Sequence, residues 1–113
     1  MTSTTFVLGV YGGGDSHSCA LNATNDVFCW GAEVDAELGN GATGASSIPD
    51  DIDYTGITGE EFFIQIDVGE KRGCGITAEG EAYCWGDDTN GELGDSATSS
   101  NQDKPTAVDT SAL

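Results

Sequence analysis

The chain repeats itself. Shifting the sequence so that Cys19 lies on Cys74 also lays Gly14 on Gly69, Ala23 on Ala78, Cys29-Trp30-Gly31 on Cys84-Trp85-Gly86, and Glu37-Leu38-Gly39 on Glu92-Leu93-Gly94. Between these anchors the mismatches are conservative: Leu21 with Ile76, Asp26 with Glu81, Phe28 with Tyr83. Two triplet pairs in one register do not align by chance. A tandem repeat of this length restricts the fold, because each unit is one supersecondary structure that covers its apolar side only by stacking on a neighbour. The units divide the chain at 1–55 and 56–113.

Each unit reads as β. Residues 19–22 and 27–30 are short strand-like segments around a polar turn, and residues 74–77 and 81–84 repeat the arrangement. A three-residue hairpin loop ends in the left-handed region, where Gly is favoured and Asn tolerated; Asn25 and Gly80 hold that place. The register then sets Cys19 opposite Cys29 and Cys74 opposite Cys84. Upstream strand candidates are 6–10 and 62–66. Downstream ones are 48–52 and 104–108, each with Pro near its start, which suits a sheet edge. The Gly-, Ser-, Thr- and Asp-rich stretches 39–47 and 94–103 read as exposed loops. No helical period of useful length appears, so the chain is predicted to be all-β.

About four strands in about 55 residues, in tandem, is the pattern of a propeller blade. The residues point further. His17-Ser18-Cys19-Ala20-Leu21, then Val27-Phe28-Cys29-Trp30-Gly31, then Glu37-Leu38-Gly39-Asn40-Gly41 resemble the regulator-of-chromosome-condensation repeat, in its extracellular Cys-Ala-Leu…Cys-Trp-Gly variant. The second unit follows through Ile76-Thr77, Gly80, Trp85-Gly86 and Gly91-Glu92-Leu93-Gly94, and departs at Arg72-Gly73, where the family has His-Ser. Glu37 and Glu92 stand where the family usually has Gln. The resemblance implies two four-stranded antiparallel β-propeller blades from a ring of about seven. Two blades leave a sheet face bare on each side. Read as starting at Met1 without a truncated repeat, the chain is expected to close a ring with three or four copies of itself in head-to-tail cyclic contact, or to join a blade-bearing partner chain. Trp30, Trp85, Leu38 and Leu93 are the expected blade-to-blade packing residues.

Charge excludes several functions. Asp and Glu number 20 against three Lys and Arg, for a formal charge of −17. Nucleic-acid binding depends on neutralising phosphates, and anionic membranes need the same basic groups; Lys71, Arg72 and Lys104 cannot supply them. No apolar run approaches the ~20 residues of a membrane helix. Mutual repulsion of the carboxylates is screened at molar salt, where the Debye length falls to ~3 Å, so the composition suits a halophilic source. A merely acidic secreted domain is the plainer alternative.

Ten residues separate the cysteines within each unit, far from the short spacing of a zinc site. Cross-strand disulfides Cys19–Cys29 and Cys74–Cys84 fit the register, with four buried free thiols as the alternative. Disulfides imply an oxidising place, yet residues 1–6 show no signal peptide. A virion surface or decoration protein, made in the cytosol and oxidised after lysis, satisfies both. So does a mature secreted domain whose leader has been replaced.

Chemistry finds no foothold. His17 is the only histidine and belongs to the repeat pattern. Gly12-Gly13-Gly14 lacks the helix that a phosphate cradle needs, and Asp87-Asp88-Thr89-Asn90-Gly91-Glu92 fails calcium-loop spacing. No enzyme activity, cofactor or metal is expected. The family binds other proteins through rim loops, so the resemblance implies contacts through loops 32–37 and 87–92, at Glu33, Asp35, Asp87, Asp88 and Asn90, with 40–47 and 95–103 beside them. A lectin-like module and an inhibitor of a secreted enzyme are the alternatives to a structural or recognition role.

Overall fold

The computed structural model describes residues 7–12, 17–32, 37–41, 44–57, 62–88, 91–95, 101–111 and 113. Strands β1 (Val7–Gly12), β2 (His17–Asn22), β3 (Val27–Gly31) and β4 (Ser46–Asp51) form one antiparallel sheet in sequence order. Strands β5 (Phe63–Gly69), β6 (Arg72–Thr77), β7 (Ala82–Gly86) and β8 (Gln102–Ala107) form the second in the same order. A single 3₁₀ turn, Tyr54–Gly56, lies between them among the described residues. The protein is all-β, two blades of four strands.

The central hairpins form as their turn residues require. In the first, Asn25 N–H donates to the Asn22 carbonyl (2.9 Å) and Asn22 N–H to the Asp26 carbonyl (3.1 Å), with Asn25 at φ 67°. The Asn22 side chain holds the turn by accepting from the Thr24 and Asp26 amides. In the second, Gly80 N–H donates to Thr77 and Thr77 N–H to Glu81, with Gly80 at φ 86° and the Thr77 hydroxyl taking the Glu81 amide. The third-position reading of Asn25 and Gly80 therefore holds. Cys19 faces Cys29 and Cys74 faces Cys84. Both pairs are disulfide-bonded, with Cα atoms 4.0 and 4.1 Å apart, so neither thiols nor zinc ligands remain.

The outer strands differ from expectation in extent. β4 begins at Ser46 and β8 at Gln102, so residues at the ends of the expected loops 39–47 and 94–103 belong to strands. Gly31 pairs with Ser46 and Gly86 with Gln102 after a register shift at the same place in each blade. These edge strands carry polar side chains that face water, which is why composition made them look like loops. Of the predicted Gly12–Gly14 turn, Gly12 ends β1 opposite Ser18 and the rest lies outside the described residues.

Strand alternation gives each sheet two faces. Cys19, Leu21, Val27 and Cys29 occupy one face of the first blade. Phe63, Ile66, Tyr83 and Trp85 occupy the face that the second blade turns towards it. These eight, with Leu38 and Ile52, make one core cluster, every member 3% exposed or less. The core is thus the joint between blades. Both blades contribute to it, and Tyr54 shows how the rim is tied down. Its hydroxyl accepts the Val27 amide at 2.7 Å, and burial pushes its ionisation well above the ordinary tyrosine range.

Candidate functional site: the blade joint and the two open faces

Trp85 organises the joint. Its ring is fully buried, its Nε1–H donates to the Glu37 carbonyl of the first blade at 3.0 Å, and it lies 6.3 Å from the Phe63 ring centroid. The Glu37-Leu38-Gly39 turn wraps over the indole. Gly39 has φ +62°, and a Cβ there would lie 2.7 Å from Trp85 Cδ1. Only a residue without Cβ admits the ring so close. Asn25 adds a side-chain bond to the Phe63 carbonyl at 2.9 Å. The joint is a disulfide face and a Leu-Gly turn on one blade, received by a tryptophan face on the next.

Each of those faces occurs a second time with no described blade stacked on it. On the first blade Val7, Val10, Ala20, Asn22, Phe28, Trp30 and Pro49 line an apolar groove, with Val7 57% and Val10 64% exposed. On the second, Gln65, Asp67, Cys74, Ile76 and Ala82 line the other, with Ile76 40% exposed. Trp30 is only half-buried, whereas Leu38 and Leu93 are both buried. Of the four expected packing residues, Trp85 and Leu38 thus lie in the joint, Leu93 is buried in the second blade's turn, and Trp30 lines the open groove.

His17 begins β2 beside the joint and is 4% exposed. Burial lowers its pKa below the ordinary 6.5, against the opposing pull of the Glu37 carboxylate and a backbone bond to Arg72. The unfolded chain therefore takes up this proton at higher pH than the fold does. The stability that neutral His17 contributes is complete above pH 6.5 and is lost as pH falls through 6.5 towards the folded value. With one histidine in the chain, imidazole proton NMR gives a single titrating signal, expected to show a midpoint below 6.5. His17→Gln should flatten the stability difference between pH 5 and 7; a midpoint at or above 6.5 contradicts the burial.

The loop residues fall differently from expectation. Asp88 is fully buried: Oδ1 accepts the Leu93 amide at 3.0 Å, and its own N–H donates to the Asn101 side chain. It folds the Leu-Gly turn and offers no contact surface, because the turn closes back over its carboxylate. Glu37, in the first loop, is likewise buried at 4% exposed. Asp87 is half-buried, its amide bonded to the Lys71 carbonyl, while Glu33, Asp35 and Asn90 lie outside the described residues. Tyr54 and the turn-holding Asn22 escaped sequence reasoning. An Asx residue two positions before a turn Thr is the signal that marks Asn22.

Two stacked four-stranded blades joined this way define a segment of a β-propeller. Known proteins agree: the profile of the regulator of chromosome condensation (RCC1) repeat matches residues 12–35 and 63–92. Each blade thus carries a match to the RCC1 repeat. Human E3 ubiquitin-protein ligase HERC2 is 37% identical over 79 residues, covering 69% of this chain and 2% of HERC2. Prp20p of Saccharomyces cerevisiae, studied for its binding to Gsp1p and histones, superposes with TM-score 0.82 at 17% identity over 100% of this chain and 28% of its own. Human WBSCR16 superposes with TM-score 0.82 at 25% identity, over 98% of this chain and 28% of its own. The chain spans about a quarter of these solved propellers and a small fraction of HERC2.

Proposed function

We propose that the chain is a non-enzymatic recognition and structural module that completes a propeller ring by association, three or four copies supplying six or eight blades. It works outside the cell, on a virion surface or as a secreted component, in a saline setting. One observation carries the reading. Residues of matching place in the two sheets are dry where the blades meet and wet where they do not: Ile66 is 2% exposed but Val10 64%, Phe63 0% but Val7 57%, Leu21 2% but Ile76 40%. Contiguous exposed apolar surface of this kind marks an interaction site. Prp20p, of the same fold, binds Gsp1p and histones, which supports a protein as the eventual target. The two disulfides favour an oxidising location.

Salt tests the setting. With a charge of −17, association brings like-charged copies together, and screening is far stronger at 1 M than at 0.1 M. Light scattering and circular dichroism between 0.1 and 3 M KCl should show assembly and stability both rising with salt. Indifference to salt contradicts the saline reading. A glycan-binding role has less to stand on, since it needs exposed aromatics beside acids, and Trp85 is buried while Trp30 lies in the apolar groove.

A further inference from the structure

We propose that Trp30 of one copy seats on the Glu92-Leu93-Gly94 turn of a second copy, reproducing between chains the joint that Trp85 makes within one. This rests on the assembly reading above and assigns its contact surface. The chain carries its own template. Within it, a Leu-Gly turn receives an indole, and Gly39 at φ +62° is buried beneath the Trp85 ring. The second turn has the same shape, with Gly94 at φ +65° and Leu93 buried, yet Gly94 is exposed and a Cβ there would meet only Val108 Cγ1, at 3.3 Å. The indole slot is formed and no indole of this chain fills it.

The complementary half is equally prepared. Trp30 holds the place of Trp85 beside the tight glycine that follows each, Gly31 at φ 113° and Gly86 at φ 105°. Phe28 stands for Tyr83, and Ala20 and Ser18 for the small residues Gly75 and Gly73 across the strand. In the joint between copies the Trp30 Nε1–H donates to the Glu92 carbonyl, as Trp85 does to Glu37. Two differences tune it. Gly80 cannot repeat the side-chain bond of Asn25 to the facing strand. Where the first blade sets His17 beside Glu37, the second sets Arg72 beside Glu92, 3.8 Å apart, so this joint carries a permanent cation in place of a titrating one. Because the two faces differ, the contact is head-to-tail and propagates until it closes. A second copy is the occupant because this chain brings both halves of the template, the turn and the tryptophan face.

Two single variants test this. Trp30→Ala spoils only the tryptophan face, and Gly94→Val only the turn, both remote from the internal joint. In molar salt, sedimentation should show the wild-type chain assembling, while each variant alone needs roughly 30-fold more protein or greater to do so. Mixed in equal amounts, the variants restore one wild-type joint and should form a one-to-one dimer and nothing larger, which misfolded chains could not do. Variants that assemble like wild type overturn this contact while leaving assembly itself intact. Variants that fail to pair when mixed, or a groove that takes only another protein's blade, overturn it as well. A wild-type chain that stays single at every concentration removes both this contact and the assembly reading.

Discussion

Replacing Trp85 with Ala is expected to lower folding stability by about 3–5 kcal/mol, most of what a domain this small possesses. The ring is fully buried, touches both blades and donates its one N–H across the joint. Its removal leaves a cavity in a core to which the first blade contributes the disulfide face and the second the aromatic face. Neither sheet can collapse alone to fill it. Trp30→Ala is the internal comparison: the residue type and repeat position are the same, but the ring is only half-buried and lines a groove instead of a blade joint. In dilute, unassembled protein its loss should be under about 2 kcal/mol, in keeping with partial burial. Urea unfolding of the oxidised proteins in molar salt measures both. Equal losses would mean that repeat position alone, and not the stacked neighbour, sets the energy.

The second large effect is expected at Gly39. Gly39→Ala places a methyl 2.7 Å from Trp85 Cδ1 and 2.8 Å from Nε1 while forcing a side chain into φ +62°. Left-handed backbone costs about 1–2 kcal/mol and overpacking another 1–3, so a loss of about 2–4 kcal/mol is expected. Gly94→Ala shares the backbone strain, at φ +65°, but meets only Val108 at 3.3 Å. It should lose about 1–2 kcal/mol in the single chain. The difference between two glycines of one repeat position isolates what the indole contributes. Denaturant midpoints for the pair decide it, and an equal loss at both sites would show that Trp85 can move aside.

Much of this architecture is legible in the amino-acid sequence, because it depends on short-range chemistry repeated twice. The Asn25 and Gly80 turns need left-handed residues, the turns set the register, and the register brings the cysteines together. The tryptophans stand out as packing residues because two of them recur in one register beside glycine. What escapes is decided at longer range. Asp88 looks like a solvated turn acid until Leu93 folds its amide onto the carboxylate. Ser46 and Gln102 look like loop residues until a register shift pairs them with glycines. Tyr54 reaches back to Val27 across twenty-seven positions of sequence, beyond any local pattern. The asymmetry between Trp30 and Trp85 is also invisible in the repeat: identical triplets meet different surroundings because the Trp85 face stacks on the other blade and the Trp30 face lines an open groove.

All of these effects follow from one property, that the apolar surface of a blade is dry only against another blade. Native mass spectrometry of the oxidised chain, sprayed from molar volatile salt, addresses that directly. Particles of three or four times the 11.6 kDa chain mass are expected, with Trp30→Ala shifting them to the single chain. A lone 11.6 kDa species persisting at every protein and salt concentration would contradict it.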